Sequence, residues 1–379
     1  ATLRRLAPLF VTDVRRTEQT IDSERGRIRC AIDECEIRAG SNALRFCELE
    51  LELEAGPPQL LFDTARGLNE TVPLRLAVSS KAQRGYALLA GSSPDAVKAE
   101  PIDFDRRHEV GDAFEVIARS CLRQFRLNEA LLDRDGVEPI HQARVALRRL
   151  RTAFAAHHRL FAGDPRANLL EAELHWLAVE LGEVRNLDVL IASGLRPAPR
   201  AHLVLVRERA LAHVRGELAS ARTRLLMIDL AEWLAVGDWR TRPADPELLH
   251  RDVASFAADL LERQRRRLAR RGENLADLDD RRRHRARIAA KTLRYAVEFF
   301  ASLYDAPKES RRRERFVGAL EALQDDLGAL NDLVVGPQIL ARLGIDAQLP
   351  HAGKRRRARL ARHAEAAYEM LIHARRFWR

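Results

Sequence analysis

The pattern of apolar and polar residues along the chain changes once, near residue 100. Before that point, apolar and polar residues alternate with a period of two, which is typical of half-buried strands. The stretch from Phe46 to Glu54 alternates most plainly, with four glutamates on one face and Cys47 and three leucines on the other. Beyond it, apolar residues recur with a period near 3.6, which is typical of amphipathic helices. The pattern predicts an α+β chain, with antiparallel strands first and helices afterwards.

Shorter segments complete the predicted β region. Alternation over residues 27–32 places Arg27 and Arg29 on one face and Ile28, Cys30 and Ile32 on the other. Further strands are predicted to end at Arg16 and to cover Leu74–Lys81, and the spacing of Gln59–Asn69 predicts a helix outside the strands. Gly91–Pro94 is expected to end this region, and residues 101–107 to form a linker.

The helical region is divided by stretches that contain glycine, proline or helix-capping residues. These breaks lie at Gly136–Pro139, Gly163–Pro165, Gly194–Pro199, Gly237–Pro246, Ala276–Asp280, Ala306–Pro307 and Gly344–Pro350. They leave about eight helices, which we group into two sets of four.

A histidine-led basic pattern, His-x-x-Arg-x-x-x-(Arg/Lys)-x-x-Arg, occurs twice in this region, 143 residues apart. Its members are His141, Arg144, Arg148 and Arg151 in the first copy, and His284, Arg287, Lys291 and Arg294 in the second. At about 100° per residue on a helix, each set falls within an arc of roughly 80°. The opposite sides are apolar, with Ala143, Leu147, Leu150 and Phe154 in one copy and Ala286, Ala290, Leu293 and Val297 in the other.

A second element is also duplicated. Leu181–Asp188 matches Leu327–Leu333 at a displacement of 146 residues. Two landmarks repeated at nearly the same displacement predict two related four-helix halves with approximate two-fold symmetry. We therefore expect a β domain over residues 1–98, a linker over 99–107 and a helical domain over 108–379, whose repeats cover about 108–240 and 247–379.

The charge is divided in the same place as the pattern. Residues 1–105 carry 14 Lys+Arg and 17 Asp+Glu, a net charge of −3, whereas residues 106–379 carry 51 and 38, a net charge of +13. Such a basic region attracts nucleic acids, phosphate polymers or acidic membrane surfaces. No apolar run is long enough to span a bilayer, the residues from Ala1 to Arg5 do not begin a signal peptide, and the four cysteines have no zinc-site spacing. We expect a cytoplasmic protein with reduced thiols and no membrane contact.

The two basic stripes have two interpretations, which are solvated helix faces or a site for a repeating anion. Like charges one helical turn apart repel, and no acidic residue lies between His141 and Arg151 to relieve that repulsion. Guanidinium groups bind phosphate oxygens in bidentate fashion. Cationic neighbours also lower the pKa of a histidine in the row. Because residue types and spacing recur in both copies, we favour the anion site.

The stretch from His141 to Arg151, HQARVALRRLR, resembles the signature of the CHAD family, named for a conserved-histidine α-helical domain. His284–Tyr295 and the two Leu-Gly elements resemble its other signatures in the expected order, so the resemblance covers roughly residues 108–379. It implies two four-helix bundles around a basic pore that binds inorganic polyphosphate. The implied ligand-facing groups are the eight residues of the stripes, with Arg149 as a ninth. Asn186 departs from the family pattern, which more often has Asp at that position. With Asn there, Asp188 is the carboxylate that remains nearby.

The glutamate-bearing strand and the segment Ser79–Tyr86 resemble the later strands of the CYTH, or triphosphate tunnel, family. That resemblance implies an antiparallel barrel in which a metal-dependent enzyme cleaves triphosphate. The implied phosphate contacts are Arg16, Arg27, Arg29, Lys81 and Arg84. The implied ligands for Mg²⁺ or Mn²⁺ are Glu48, Glu50 and Glu52. A half-exposed strand with a polar outer face is the alternative explanation of the glutamates.

The tunnel resemblance is incomplete, because the family's opening Glu-x-Glu-x-Lys strand has no counterpart and Val11 and Asp13 stand where basic residues are expected. Either that segment lies outside this sequence or the tunnel is degenerate. We therefore expect the chain to bind inorganic polyphosphate, with no cofactor required and with association with polyphosphate granules as one consequence. Metal-dependent triphosphate hydrolysis is the first alternative. Nucleic-acid binding is the second and is disfavoured, because the basic stripes carry no aromatic residue for base stacking apart from Tyr295. The oligomeric state is left open.

Overall fold

The computed structural model describes residues 8–91, 96–105, 107–132, 136–350 and 353–379. The predicted turn over residues 92–94 and the residues from Ala1 to Arg5 lie outside this range. The first elements are the strands β1 (Val11–Ser23), β2 (Gly26–Ala39) and β3 (Asn42–Ala55), and the helices α1 (Gln59–Thr71) and α2 (Lys81–Leu89). The three strands form an antiparallel sheet in the order β1-β2-β3. An antiparallel sheet followed by helices confirms the predicted α+β class.

The glutamate face of the sheet, rather than its leucine face, is the more deeply covered one in the centre of β2. Asp33 of β2 pairs in register with Glu48 of β3, and its side chain is fully buried. Ile32, on the opposite face with Leu49, is 46% exposed. The difference arises because α2 packs on the glutamate face, where Lys81 reaches the sheet carboxylates.

Two strand predictions are wrong. Leu74–Lys81 is not a strand, because the segment is irregular until Ser80 caps α2 by accepting a hydrogen bond from the Gln83 N–H, while the Gln83 side chain accepts from the Ser80 N–H. That reciprocal pair is a capping box, a local signal strong enough to start a helix. Lys81 and Arg84 therefore lie on a helix. The first strand does not end at Arg16 either, but continues to Ser23.

Helix α1 is confirmed and connects the sheet to the helical region. The Arg66 guanidinium donates to Asp229 Oδ1 at 2.7 Å and contacts Glu232, and both acceptors belong to a helix of the helical region. Arg224 Nε also donates to Asn69 Oδ1 at 2.7 Å. The sheet thus has a fixed polar attachment to the helices through α1.

The segment predicted as a linker is packed against the helices. Ile102 and Phe104 are both 6% exposed. The Phe104 ring stacks on Phe300 with centroids 5.9 Å apart, and the Phe104 N–H donates to Ser302 Oγ at 3.0 Å. These contacts restrict motion between the sheet and the helices.

The remaining elements are helical. They are α3 (Val110–Glu129), α4 (Val137–His157), α5 (Pro165–Ile191), α6 (Pro197–Ala219), α7 (Ala221–Val236), α8 (Pro246–Leu249), α9 (Val253–Gly272), α10 (Asp280–Phe299), α11 (Pro307–Arg342) and α12 (Lys354–His373). Each predicted break includes residues between two of these helices, although Gly136–Pro139 and Gly194–Pro199 extend into the first turn of α4 and of α6. A break at Ser220 was not predicted, since it has neither glycine nor proline and depends on the Ser220 side chain, which accepts from the Thr223 N–H. In the described part of the chain, no helix is both long and apolar enough to cross a membrane.

The starts of α3 and α9 show the internal two-fold relationship directly. The Val110 N–H donates to the Arg251 carbonyl at 3.0 Å, and the Val253 N–H donates to the His108 carbonyl at 3.0 Å. Donors and acceptors in this pair are both displaced by 143 residues, the same displacement as the basic pattern. One apolar core, which includes residues from α3 to α12, continues through both halves.

Candidate anion-binding site

The two basic stripes lie on α4 and α10, and the apolar side of each helix anchors it in the core. All eight apolar residues predicted for those sides are at most 2% exposed, namely Ala143, Leu147, Leu150, Phe154, Ala286, Ala290, Leu293 and Val297. Burying these side chains fixes the rotation of both helices, because the apolar arc has only one core to face. The basic arcs are therefore held in place by packing, and α4 and α10 contact one another.

Five cationic side chains from three helices form what we call the central cluster. Its members are Arg144 and Arg148 of α4, Arg185 of α5, and Arg287 and Lys291 of α10. The charges of Arg148, Arg185 and Arg287 act on Arg144, and those of Arg144, Arg148 and Arg287 act on Lys291. The two stripes thus converge on one place.

In the described part of the chain, the central cluster has no carboxylate at ion-pair distance, although Asp332 attracts Arg287 and Lys291 from farther away. Among the described residues, none of its five members forms an ion pair within 4 Å of a carboxylate oxygen. The Nε–H groups of Arg148 and Arg287 are buried and donate to no acceptor among the described residues. Buried donors are nearly always satisfied in folded proteins, and cations of one sign repel. An arrangement with both features can bind an acceptor-rich anion.

Burial and mutual repulsion lower the pKa values of three basic groups in the central cluster. Burial, followed by repulsion from Arg148 and Arg287, lowers the pKa of Arg144 to about 10 and the pKa of Lys291 to about 6. Burial also lowers the pKa of Arg287, against the attraction of Asp332 on α11. Without an anion, Lys291 is therefore mostly neutral at pH 7.

The two histidines occupy different environments at equivalent positions. Burial, followed by the charge of Arg185, lowers the pKa of His141 to about 4, which agrees in direction with the expectation from the sequence. His284 is exposed, with Nδ1 3.0 Å from Asn331 Oδ1. Arg185 and Asn331 hold the same place in the duplicated Leu-Gly element. The two histidines therefore differ because one is close to an arginine and the other to an asparagine.

Besides the two histidines, three predicted ligand groups lie outside the central cluster. Arg149 is 4% exposed, donates to Glu298 Oε2 at 3.1 Å and lies over the Phe299 ring. Arg294 donates to Glu298 Oε1 at 2.8 Å, so one carboxylate serves both guanidinium groups. Arg151 is exposed, beyond the central cluster along α4. These side chains extend the basic surface, but two of them already have a partner.

The Leu-Gly elements provide space for the arginines of the cluster. An ideal Cβ on Gly182 would lie 3.6 Å from Arg144 Nε, and one on Gly328 would lie 3.6 Å from Arg287 Nη2. In both halves a glycine of one helix thus lies directly beside a guanidinium of the preceding helix. The second duplicated landmark therefore belongs to the same site as the first.

Arg185 was not among the predicted site residues, although it lies in the Leu-Gly element. Its signal was available in the sequence, since it follows Gly182 by three residues and so shares its helix face. Asp188, the carboxylate expected near this element, bonds Arg207 Nε at 2.9 Å through Oδ1. Asp332 of the second half, rather than Asp188, acts on Arg287 and Lys291.

The residues that the tunnel resemblance implies form a second, self-paired cluster on the sheet. Lys81 Nζ lies 2.8 Å from Asp33 Oδ2 and 2.7 Å from Glu50 Oε1. Arg16 donates to both Asp33 oxygens, at 2.6 and 2.7 Å, and to Glu50 Oε2 at 2.5 Å. Asp33 was not singled out from the sequence, although it continues the alternation on the face of Arg27 and Arg29.

The remaining tunnel residues are also paired. Arg29 donates to Glu52 at 2.5 Å, Arg27 to Asp22 at 2.6 Å, and Arg84 lies 3.8 Å from Glu48 Oε2. The described residues contain no group of three His, Cys, Asp or Glu side chains arranged to hold a metal ion. Glu48, Glu50 and Glu52 therefore do not fit the Mg²⁺ or Mn²⁺ site that the resemblance implies, because cationic side chains occupy their oxygens.

Parts of this chain are similar to known proteins. The family model described as CHAD domain matches residues 116–341. The crystal structure of the CHAD domain from the plant Ricinus communis has a TM-score of 0.58 and 29% sequence identity, and the match covers 74% of this chain and 93% of that one. An inorganic triphosphatase from Haemophilus influenzae is 36% identical over 83 residues, which are 22% of this chain and only 24% of that protein. Because the family model spans more than half of the chain, the chain belongs to the CHAD domain family.

Proposed function

We propose that this protein binds inorganic polyphosphate at the central cluster. The observation that carries the proposal is the pair of buried Nε–H groups, on Arg148 and Arg287, that have no acceptor among the described residues, in a cluster without a carboxylate at ion-pair distance. A polyphosphate chain offers charged oxygens at short, regular intervals. Such a chain satisfies both donors and neutralises both stripes at once.

The choice of arginine supports a phosphate ligand over a simple counter-ion. Four of the five cluster members are arginines, whose planar guanidinium matches phosphate oxygens with two parallel hydrogen bonds. The duplication places similar groups on two facing helices, which suits a ligand that repeats along its length. The relative named as an inorganic triphosphatase also supports inorganic phosphoanhydrides as the ligand class.

A charge-reversal experiment tests the proposal. Replacing both Arg148 and Lys291 with Glu should weaken binding of long-chain polyphosphate by roughly a hundredfold or more, measured by titration calorimetry, since charged hydrogen bonds become repulsions. The matched control replaces Arg200 and Arg209 with Glu, because both are exposed on α6 and make the same change in net charge. Equal binding by the two double variants would remove the central cluster as the site.

Nucleic acid is the competing polyanion, and the aromatic residues disfavour it. Single-stranded nucleic acids gain much of their affinity from bases stacked on exposed aromatic rings. Tyr295, the aromatic residue nearest the stripes in sequence, is only 7% exposed. Polyphosphate should therefore displace single-stranded DNA of equal total charge. Displacement of polyphosphate by that DNA with equal efficiency would show that the site does not distinguish the two.

Hydrolysis of triphosphate is the second candidate function, and the name of the Haemophilus influenzae relative favours it. Phosphate release from triphosphate or polyphosphate, with Mg²⁺ or Mn²⁺ present, separates binding from cleavage. We expect retention without release, because the sheet carboxylates are paired with Lys81 and Arg16. Sustained release that disappears in the Glu50→Gln variant would instead establish an enzyme.

A further inference from the structure

The sheet cluster is arranged around a single nitrogen atom. Three carboxylates approach the Lys81 ammonium, with Asp33 Oδ2 at 2.8 Å, Glu50 Oε1 at 2.7 Å and Glu48 Oε1 at 3.6 Å from Nζ. They come from two neighbouring strands, and the register pairs Asp33 directly with Glu48. Carboxylate oxygens from different strands thus converge on one cation, which is the ammonium of Lys81.

The cluster is electrically balanced only with the ammonium in place. The three carboxylates carry three negative charges, and Arg16, Lys81 and Arg84 supply three positive ones. The hydrogen bond from Arg16 is the main cause that lowers the pKa of Asp33 to about 2. Burial opposes the charged form of Lys81, but its bonds to Asp33 and Glu50 outweigh burial and raise the pKa of Lys81. Asp33 and Lys81 therefore both stay charged at neutral pH.

We propose that Asp33, Glu48 and Glu50 form a one-cation site in which the ammonium of Lys81 takes the place of a divalent metal ion. Lys81 is then the residue that determines whether the sheet binds a hard cation such as Mn²⁺ or Mg²⁺. With Lys81 present, its ammonium fills the position between the carboxylates. With Lys81 removed, the same oxygens have a net negative charge and accept a divalent ion. This inference does not depend on polyphosphate binding by the helices.

The position of the ammonium is set by the helix that carries it. Ser80 caps α2 through its pair of hydrogen bonds with Gln83, so Lys81 is the first helical residue. Gly85, one turn later, lies against the Phe10 ring so closely that an added Cβ would be 2.4 Å from it. The Arg84 guanidinium lies over the Phe46 ring, 4.2 Å from its centroid. These contacts hold α2, and with it the Lys81 side chain, against the sheet.

Binding of Mn²⁺, followed by the loss of the free-ion signal in electron paramagnetic resonance, tests the proposal. The native protein should show no saturable site that depends on these carboxylates. The Lys81→Met variant should gain one site, with a dissociation constant on the order of 10⁻⁴–10⁻³ M, as in weak oxygen-ligand sites. The additional changes Glu48→Gln and Glu50→Gln should remove the gained site.

Two controls distinguish the loss of the Lys81 ammonium from a general change in the charge of the protein. Lys98→Met removes an exposed lysine elsewhere and should gain no site, and Lys81→Arg keeps the positive charge and should also gain none. If Lys81→Met lowers the helical circular-dichroism signal or the cooperativity of unfolding, Lys81→Gln, which keeps a hydrogen-bond donor towards Asp33, replaces it.

Either of two results would overturn the proposal. The first is a native Mn²⁺ site that disappears with Glu48→Gln and Glu50→Gln, because the ammonium would then not exclude the metal. The second is a folded Lys81→Met or Lys81→Gln protein that gains no Mn²⁺ site, because the carboxylates would then not form a cradle.

Discussion

Arg149 of α4 donates to Glu298 of α10 at 3.1 Å across the boundary between the two basic helices. The same carboxylate accepts from Arg294 at 2.8 Å. Glu298 therefore neutralises two cations at one end of the paired stripes and joins the two halves there. Among the described residues, Glu298 forms no ion pair with the central cluster, and Asp332, the carboxylate that attracts Arg287 and Lys291, forms none with it either. The pairing thus separates arginines with a structural partner from those available to a ligand.

Replacing Glu298 with Gln should destabilise the protein more than it affects ligand binding. The change leaves the buried Arg149 without its charged partner, and loss of one partner of a buried pair is costly. The Glu298 side chain is 32% exposed, so the cost is smaller than for a fully buried pair. We expect the free energy of unfolding, measured in urea, to fall by about 1–3 kcal/mol. Glu321→Gln is the control, since that side chain is 49% exposed and lies 3.6 Å from Arg294. Equal stability of the two variants would contradict a structural role for the Arg149–Glu298 pair.

The closeness of Gly182 to the Arg144 guanidinium limits the size of the side chain that position 182 can carry. An added Cβ would be 3.6 Å from Arg144 Nε, an ordinary van der Waals contact, so Gly182→Ala should keep polyphosphate affinity. It should also raise stability by roughly 0.5–1 kcal/mol, because Ala is the better helix former. Gly182→Leu should instead displace the Arg144 guanidinium and weaken binding. Gly216→Leu, at a helical glycine with nothing within 4 Å of an added Cβ, is the size-matched control in calorimetry.

The helical half of this fold was largely predictable because its signals are local and repeated. The apolar arcs of both stripes needed only helical periodicity, and Val110 and Val253 show that the displacement of 143 residues is a real symmetry. The break at Ser220 was missed because a serine cap without glycine or proline resembles an ordinary helical residue. The importance of Arg185 was missed because its role depends on a contact between α5 and α4.

The sheet was less predictable, since alternation does not say which face is covered. The glutamate face looked solvated, yet Asp33 on that face is fully buried. The deciding element is α2, whose start at Ser80 was interpreted as part of a strand because Leu74, Leu76 and Val78 alternate. Lys81 pairs with carboxylates on two strands that are distant from it in sequence. Residue spacing along one strand therefore cannot predict this pairing.

Salt should weaken polyphosphate binding in proportion to the number of cations engaged. Each neutralised phosphate releases condensed counterions, so the logarithm of affinity falls linearly with the logarithm of salt concentration. For the five members of the central cluster we expect a slope of roughly −3 to −4, by analogy with single-stranded nucleic acids. Arg148→Gln should reduce the steepness by roughly one unit, whereas Arg209→Gln should leave it unchanged. A slope that does not respond to Arg148→Gln would place the polyphosphate elsewhere.

Lys291 should limit the stability of the protein when no anion is bound. Its pKa falls from the ordinary value of 10.5 to about 6, so the folded state binds fewer protons than the unfolded state between those values. Lys291→Met should therefore stabilise the unliganded protein, by roughly 1–3 kcal/mol at pH 7. The gain is full below pH 6 and disappears as the pH approaches 10.5. Thermal unfolding at several pH values measures it, with the exposed Lys308→Met as the control.

Binding of polyphosphate should take up a proton at Lys291. The unliganded amine has a pKa of about 6, and a bound polyanion raises that pKa because it stabilises the ammonium. Between the two pKa values the bound state holds one more proton, so affinity falls as pH rises above 6, by at most about tenfold per unit. Lys291→Arg, which reproduces the Arg148 of the other half, stays protonated and should bind with little pH dependence. His141, whose pKa is about 4 without ligand, adds a second uptake on the acidic side, which His141→Gln removes. An identical pH dependence in the native and Lys291→Arg proteins, measured by calorimetry in buffers of different ionisation enthalpy, would show that Lys291 does not gain the proton.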